Sequence, residues 1–298
     1  MTFLAPVRVE HREGLAIVSL AQPERGNPFD GDFTREVRQV ASDLWDQPGL
    51  RAVLRRADGA NYSVGGDLKS FGPVKDRLAP RVRRWTADLH MGLQRFWQLP
   101  VPIVTAVQGF AMGGAVALLA GCDSVIAGES TRLGSAFAQL GFSCDSGSSA
   151  TLTSRMEPAR ARRFVLLAEV LKSAEALQCG RVDRVVADAH LQVEALAVAV
   201  QLSQGPTLAF GEIKRLFLRA GSAHFEAQLE DEALTLARQM LAGVPEGLVA
   251  YTRLLDAEAG TTLGQALRIE REASLANNLP VSREEIDTRL AKLRRVGR

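Results

Sequence analysis

The stretch that decides the fold of this chain runs from Val101 to Asp123 and reads VPIVTAVQGFAMGGAVALLAGCD. Its first part is a short run rich in valine and isoleucine between Pro102 and Gly109, which predicts a fully buried β-strand. Its second apolar run, Ala115 to Ala120, contains small and aliphatic residues with little β-branching. This second run predicts a buried α-helix.

Gly113 and Gly114 stand just before the second run and are predicted to form the first turn of the helix. The N–H groups of a first helical turn lack intrahelical acceptors, and glycine has no Cβ to hinder approach, so this turn suits a developing negative charge. The glycines could instead serve only the close packing of strand on helix. A membrane span is also conceivable, since no charge occurs from Val101 to Cys122. The glycines and Pro102 disfavour the membrane span, so we expect a buried strand, turn and helix.

The composition indicates a globular protein with a sizeable core. The 298 residues are 46% hydrophobic and 23% charged, which suits one large domain or a domain with an appendage. The net charge of +2 is too small to indicate nucleic acid or a membrane as a partner. Three widely spaced cysteines, Cys122, Cys144 and Cys179, have no metal-site spacing, and the N-terminal sequence does not resemble a secretory signal. We therefore expect a cytoplasmic protein without a metal.

Predicted strands alternate with predicted helices over the first two thirds of the chain, which is typical of an α/β core. Helical patterns dominate the remainder. The segment from Gly205 resembles the segment from Val244, which suggests an internal duplication. We predict a core over residues 1–200 and a helical region over residues 201–298, with the duplication enlarging it at 241–278.

Several motifs together resemble those of one family. Their order in the chain is PERGN at 23–27, SVGGDL at 63–68, GFAMGGA at 109–115, LGFSCDSG at 140–147, SAEAL at 173–177 and GRVDRVV at 180–186. This series closely resembles the crotonase (enoyl-CoA hydratase/isomerase) superfamily over about residues 5 to 240. Any one of these motifs is weak, but their combination in this order is specific.

The resemblance implies a ClpP-like spiral of ββα units followed by an all-helical region. It also implies assembly as a homotrimer or hexamer and an acyl-CoA thioester as substrate, in fatty acid or aromatic acid metabolism. No separate cofactor is expected, because coenzyme A is part of the substrate.

The resemblance also assigns roles to residues. The backbone N–H groups of Gly66 and Gly114 would form the oxyanion hole that holds the thioester carbonyl, since the family's reactions pass through an enolate. Coenzyme A would lie along Arg25 and the loop that contains the SVGGDL motif. The residues of that loop expected to contact it are Val64, Gly65, Asp67 and Leu68.

The chain departs from the hydratase pattern at the two glutamate positions, which fall on Ala117 and Phe137. Asp145 falls where the isomerase branch has its single acid/base residue and where the related aryl-CoA dehalogenases have their nucleophile. Phe137, Leu140 and Phe142 would be apolar neighbours of this carboxylate, and Phe137 and Phe142 are expected to contact the substrate or coenzyme A. We therefore expect double-bond isomerisation of an enoyl-CoA, with Asp145 as the acid/base.

Alternatives remain open at this point. The chain could catalyse hydration with an unusual set of residues, dehalogenation or thioester hydrolysis through Asp145, or it could be a non-catalytic CoA-binding scaffold. Asp145 could also merely cap a helix that starts near Ser146. His90 lies roughly where the dehalogenases carry a histidine, but its spacing along a predicted helix favours a packed or solvated residue.

Overall fold

The computed structural model describes residues 5–70, 78–221 and 224–243. The chain divides into two compact units, Met1–Arg215 and Leu216–Arg298. The predicted boundary at residue 200 stays a prediction, and the predicted duplication at 241–278 lies outside the described residues from position 244 onward.

The first unit contains two β-sheets. Its strands are β1 (Val7–Arg12), β2 (Leu15–Leu20), β3 (Ala52–Ala57), β4 (Ile103–Val107), β5 (Phe110–Met112), β6 (Ser124–Gly128), β7 (Arg132–Gly134), β8 (Val170–Lys172) and β9 (Arg184–Val186). A six-stranded sheet has the order β1-β2-β3-β4-β6-β9, and a three-stranded sheet has the order β5-β7-β8. The strands β1 and β2 form an antiparallel hairpin, and β2, β3, β4, β6 and β9 run parallel to one another.

Helices follow the strands along the chain. They are α1 (Gly31–Trp45), α2 (Leu78–Gln98), α3 (Gly114–Ala120), α4 (Ser148–Thr153), α5 (Pro158–Leu166), α6 (Ser173–Gln178), α7 (Leu191–Ser203), α8 (Thr207–Ala220) and α9 (Phe225–Gly243). Asp30 begins α1, since its side chain accepts from the N–H groups of Asp32 and Phe33. None of the helices in the described part of the chain combines the length and apolar character that a membrane span needs.

The large sheet is buried on both faces. Alternate residues of its strands pack with α1, α2 and α3 on one face, for example Val18, Val53 and Val107. The residues between them, such as Ile17 and Val104, pack with α7 on the other face. Because both faces are apolar, the central strands appear in the sequence as nearly continuous hydrophobic runs.

The deciding stretch contains β4, β5 and α3, so its predicted strand and helix are confirmed. Of the two strands in this stretch, β4 belongs to the large sheet and the short β5 belongs to the small sheet. The next strands, β6 and β7, are divided between the sheets in the same way. The three-residue β5 was not predicted, because a strand this short has too few residues to show a period-two pattern.

Arg181 is a charged residue inside this core. Its exposed fraction is 0%, and its Nη2 donates to the carbonyl oxygen of Val116 on α3 at 2.8 Å. Its Nε and Nη1 have no hydrogen-bond partner among the described residues. Burial, with the nearby positive charge of Arg155, lowers the pKa of Arg181 to about 10. The guanidinium is therefore still charged at neutral pH, although the buried, apolar core around it disfavours the charged form.

Arg181→Met keeps much of the side-chain volume and removes the poorly paired charge. We expect the free energy of unfolding at pH 7 to rise by about 1–3 kcal/mol, measured by urea denaturation. The folded-state pKa of Arg181 is depressed, so folding with this side chain charged costs free energy. That cost has its full value below about pH 10 and decreases above it. The advantage of the variant should therefore narrow as the pH rises above that value.

Arg155→Met is the matched control, because Arg155 pairs with Asp183 at 3.0 Å and donates to the carbonyl oxygen of Cys122 at 2.8 Å. This second variant should be destabilised. A stability of Arg181→Met equal to or below that of the wild type would contradict the interpretation of Arg181 as an uncompensated buried charge.

Candidate active site

Two glycine-bearing segments of the chain lie side by side. Ser63 pairs with Ala111 in an isolated parallel bridge. The Ser63 N–H donates to Phe110 O at 3.0 Å, and the Met112 N–H donates to Ser63 O at 3.0 Å. The loop after β3 is thereby fixed along β5, where the chain is about to enter α3.

Gly65 allows these two segments to come this close. Its φ is +80°, and a Cβ there would lie 2.6 Å from the carbonyl oxygen of Met112 and 3.6 Å from Cα of Gly113. The loop is also held from inside, because the buried Ser63 hydroxyl donates to Asn27 O at 2.7 Å and accepts from Gly65 N at 3.0 Å. A glycine is required at this position both by the backbone conformation and by the space available.

The N–H groups of Gly66 and Gly114 have no acceptor among the described residues. Gly114 is the first residue of α3, so its N–H has no intrahelical partner. Gly66 faces Phe29 in a parallel bridge whose bonds use Gly65 O and the Asp67 N–H. In such a bridge the N–H of Gly66 itself points away from Phe29. Two backbone donors without protein acceptors are suited to stabilise an oxyanion.

Arg25 holds the loop that carries Gly66. Its Nη1 lies 2.8 Å from Asp30 Oδ2 and its Nη2 lies 2.8 Å from Asp67 Oδ2. Partial burial acts to lower the pKa of Arg25, but the hydrogen bonds and charges of Asp30 and Asp67 outweigh it and raise that pKa. Arg25 therefore shares its charge with two carboxylates and ties the loop to the start of α1. Its predicted contact with coenzyme A stays a prediction.

Val64 and Leu68 present apolar surface on the same loop. Their exposed fractions are 43% and 47%. Large exposed apolar side chains beside unpaired backbone donors are typical of a surface that binds an amphipathic ligand. The predicted binding roles of Val64, Gly65, Asp67 and Leu68 remain predictions.

Asp145 lies in the exposed loop that leads into α4. Its Oδ1 accepts from the Ser146 hydroxyl at 3.0 Å. Its carbonyl oxygen, not its carboxylate, accepts from Ser148 N at 2.9 Å. The N-cap of α4 is Gly147, without a side-chain cap, so the alternative that the Asp145 side chain merely caps a helix is wrong.

Phe137 and Phe142 lie in one turn before Asp145, since Phe142 N donates to Phe137 O at 3.1 Å. Phe137 is buried, whereas Phe142 is 51% exposed. The prediction that both phenylalanines contact the substrate stays a prediction. Ala117, at the other hydratase glutamate position, is buried inside α3 and has no group that could transfer a proton.

The sequence favoured a packed or solvated role for His90, and it did not identify Ser146 as a site residue. The Ser146 N–H donates to Nε2 of His90 on α2 at 3.2 Å. The Ser146 hydroxyl oxygen lies 3.1 Å from the point that a Cβ on Gly114 would occupy. Ser146 thus links His90, Asp145 and Gly114. The only signal in the sequence was the position of Ser146 directly after the candidate acid.

No group of three or more side chains that could bind a metal occurs in the part of the chain described by the structure. The site consists of two free backbone N–H groups, one carboxylate, a serine and an imidazole. These groups can hold a carbonyl and move a proton.

The family model for enoyl-CoA hydratase/isomerase matches residues 10–224. Curated relatives carry different activities in their names. A probable enoyl-CoA hydratase of Mycobacterium bovis is 28% identical over 76% of this chain and 85% of its own length. A 1,2-epoxyphenylacetyl-CoA isomerase of Escherichia coli is 29% identical over 74% and 84%, and a 4-chlorobenzoyl coenzyme A dehalogenase of Arthrobacter is 25% identical over 76% and 82%.

A solved structure supports the same conclusion. A Thermobifida fusca protein assigned as an enoyl-CoA hydratase, in complex with acetoacetyl-CoA, matches with a TM-score of 0.74 and 26% identity. The match covers 80% of this chain and 96% of that protein. The chain belongs to the enoyl-CoA hydratase/isomerase family. Its fold is the crotonase fold, as the motifs predicted.

The neighbouring glycines of the loop give a matched pair of variants. Gly65→Ala combines a positive φ with a Cβ 2.6 Å from a backbone oxygen, so we expect a loss of about 2 kcal/mol or more in the free energy of unfolding. A Cβ at Gly66 would meet no atom within 4 Å, and its φ is not positive. Gly66→Ala should therefore stay within about 0.5 kcal/mol of the wild type. Urea denaturation followed by circular dichroism measures both, and equal stabilities would show that the close approach of the two segments is not a constraint.

Proposed function

We propose that this protein binds an acyl-CoA thioester and moves a double bond in its acyl group, with Asp145 as the single acid/base residue. The observation that carries the proposal is the arrangement at Ser146, whose hydroxyl donates to the Asp145 carboxylate and whose Oγ lies 3.1 Å from the point that a Cβ on Gly114 would occupy. Ser146 thereby connects the candidate acid/base residue with the residue that carries a free backbone donor. The isomerase among the relatives and the family's acetoacetyl-CoA complex support the same proposal.

The first step removes a proton. The Asp145 carboxylate takes the α-proton of a β,γ-unsaturated acyl-CoA, and the electron pair of that C–H bond moves into the thioester carbonyl. The resulting enolate oxygen accepts hydrogen bonds from the N–H groups of Gly66 and Gly114. One such donor is typically worth about 3–4 kcal/mol of transition-state stabilisation.

The second step returns the proton. The protonated Asp145 gives it to the γ-carbon, the double bond moves to the α,β position, and the carboxylate is regenerated. Atoms and charge balance with Asp145 and the substrate alone, and no further reactant is needed. Coenzyme A enters as part of that substrate, so the reaction needs no separate cofactor.

The loop residues described above would hold the substrate. Val64 and Leu68 would cover the apolar part of the CoA arm, and Arg25 and Asp67 would keep this loop in place through their ion pair. Phe137 and Phe142 would contact the acyl group. Assembly as a homotrimer or hexamer and a cytoplasmic location remain predictions.

A second candidate function is dehalogenation or hydrolysis through Asp145. In dehalogenation the carboxylate attacks the carbon that bears the halogen, halide leaves, and water then cleaves the resulting ester. In thioester hydrolysis the carboxylate attacks the carbonyl carbon, the CoA thiolate leaves, and water then cleaves the resulting mixed anhydride. The position of His90 favours this candidate, because its Nε2 lies 3.2 Å from the nitrogen of the residue after Asp145. This imidazole could activate the water once Nε2 releases the Ser146 N–H, because that hydrogen bond occupies the ring's one acceptor nitrogen. Position 137 argues against this branch, because this chain has phenylalanine there and the related dehalogenases have tryptophan at the matching position.

Isotope exchange tests the proposal. Purified protein is incubated in heavy water with a panel of β,γ- and α,β-unsaturated acyl-CoAs, and the products are analysed by mass spectrometry. We expect deuterium at the α- or γ-carbon without a mass gain of water. Asp145→Asn should reduce this exchange at least about 100-fold, because the acid/base group is lost, while thioester binding persists.

Asp46→Asn is the control, since this exposed aspartate lies at the far end of α1. It should exchange at the wild-type rate. A mass gain of water would instead identify a hydratase, and chloride release from 4-chlorobenzoyl-CoA would favour the second candidate. Binding of several thioesters without exchange or turnover would identify a scaffold.

A further inference from the structure

Ser146 is the residue at which three segments of the candidate site meet. It is 1% exposed and has a φ of +55°. Its N–H donates to His90 on α2, its hydroxyl donates to Asp145 Oδ1, and its Oγ lies against Gly114 at the start of α3. No role for Ser146 follows from the acid/base mechanism alone.

The backbone of Ser146 is costly for a serine. A residue other than glycine in the left-handed region carries a strain of about 1 kcal/mol, which glycine would avoid. Gly147 follows with a φ of +74°, and a Cβ there would lie 2.3 Å from the Trp97 ring. Ser146 and Gly147, which directly follow Asp145, therefore both have left-handed backbone conformations in a closely packed region. The side chain of Ser146 has to be explained by what it contacts.

Asp145, in contrast, has little that fixes its carboxylate. The residue is exposed, and the Ser146 hydroxyl is the hydrogen-bond donor to its side chain among the described residues. A group that transfers a proton must be held in a narrow range of orientations relative to the reacting carbon. The exposed carboxylate therefore takes its orientation from a buried neighbour.

We propose that Ser146 is the positioning residue of this site. Its hydroxyl binds Asp145 Oδ1 and leaves Oδ2 as the oxygen that takes and returns the proton. Because the same Oγ lies against Gly114, it also sets the separation between the carboxylate and this oxyanion donor. The inference rests on the proposed function, in which Asp145 is the acid/base residue.

Three substitutions at this position separate a positioning role from a structural one. Ser146→Gly removes the hydroxyl and the backbone strain, Ser146→Ala removes the hydroxyl and keeps the strain, and Ser146→Thr keeps a hydroxyl and adds strain. Each variant is measured for kcat and KM of α-proton exchange and for stability in urea.

For a positioning residue, kcat follows the hydroxyl. Ser146→Gly and Ser146→Ala should both lose about 10- to 100-fold in kcat, the change expected for one lost hydrogen bond to a charged group, with KM within about twofold of the wild type. Ser146→Thr should retain most of the kcat although it is the least stable of the three. For a purely structural residue, kcat would follow stability instead, so that Ser146→Gly would be the most active and Ser146→Thr the least.

The failure of this inference differs from the failure of the proposed function. Ser149→Ala, on an exposed residue of α4, serves as control and should behave as the wild type. If Asp145→Asn abolishes exchange while Ser146→Gly and Ser146→Ala keep the wild-type kcat, the positioning role is overturned and the proposed function stands. If Asp145→Asn still exchanges, the acid/base role of Asp145 is wrong and the role of Ser146 falls with it.

Discussion

The main-chain pairing of Ser63 with the strand Phe110–Met112 is the interaction on which the candidate site depends. It brings the loop after β3 against the entry to α3, and this approach is possible only because Gly65 has no side chain. Once the segments are joined, the bonding pattern leaves the N–H groups of Gly66 and Gly114 without acceptors among the described residues. Gly114 is buried and Gly66 lies in an exposed part of the loop, so both N–H groups remain available to donate to a ligand oxygen.

The rest of the first unit keeps this arrangement rigid. The large sheet is packed on both faces, and α3 is buried along its whole length. Close-packed interiors resist small displacements, so backbone donors on their edge keep their positions as charge develops on a substrate. The candidate acid/base residue is different, because Asp145 lies on an exposed loop, where its carboxylate accepts from the Ser146 hydroxyl and Gly147 packs against Trp97.

Membership of the enoyl-CoA hydratase/isomerase family defines the framework but not the reaction. Two backbone donors can stabilise an enolate or a related oxyanion in several reactions. The acid/base groups nearby determine which of these reactions takes place. In this chain the two positions that carry glutamate in hydratases are Ala117 and Phe137. In the proposed function the proton transfer therefore falls to Asp145, and His90 is the group that the second candidate function would use.

The sequence by itself determined the local elements and the family. The strand β4 and the helix α3 could be predicted, because the β-branched run of the first and the small apolar residues of the second are patterns that act over a few residues. The tertiary structure alone decided which distant residues meet. His90 reaches a residue 56 positions away, and Arg25 is occupied by Asp30 and by Asp67 on another loop. These contacts depend on how the helices and loops pack together, and no pattern within one segment records the position of another.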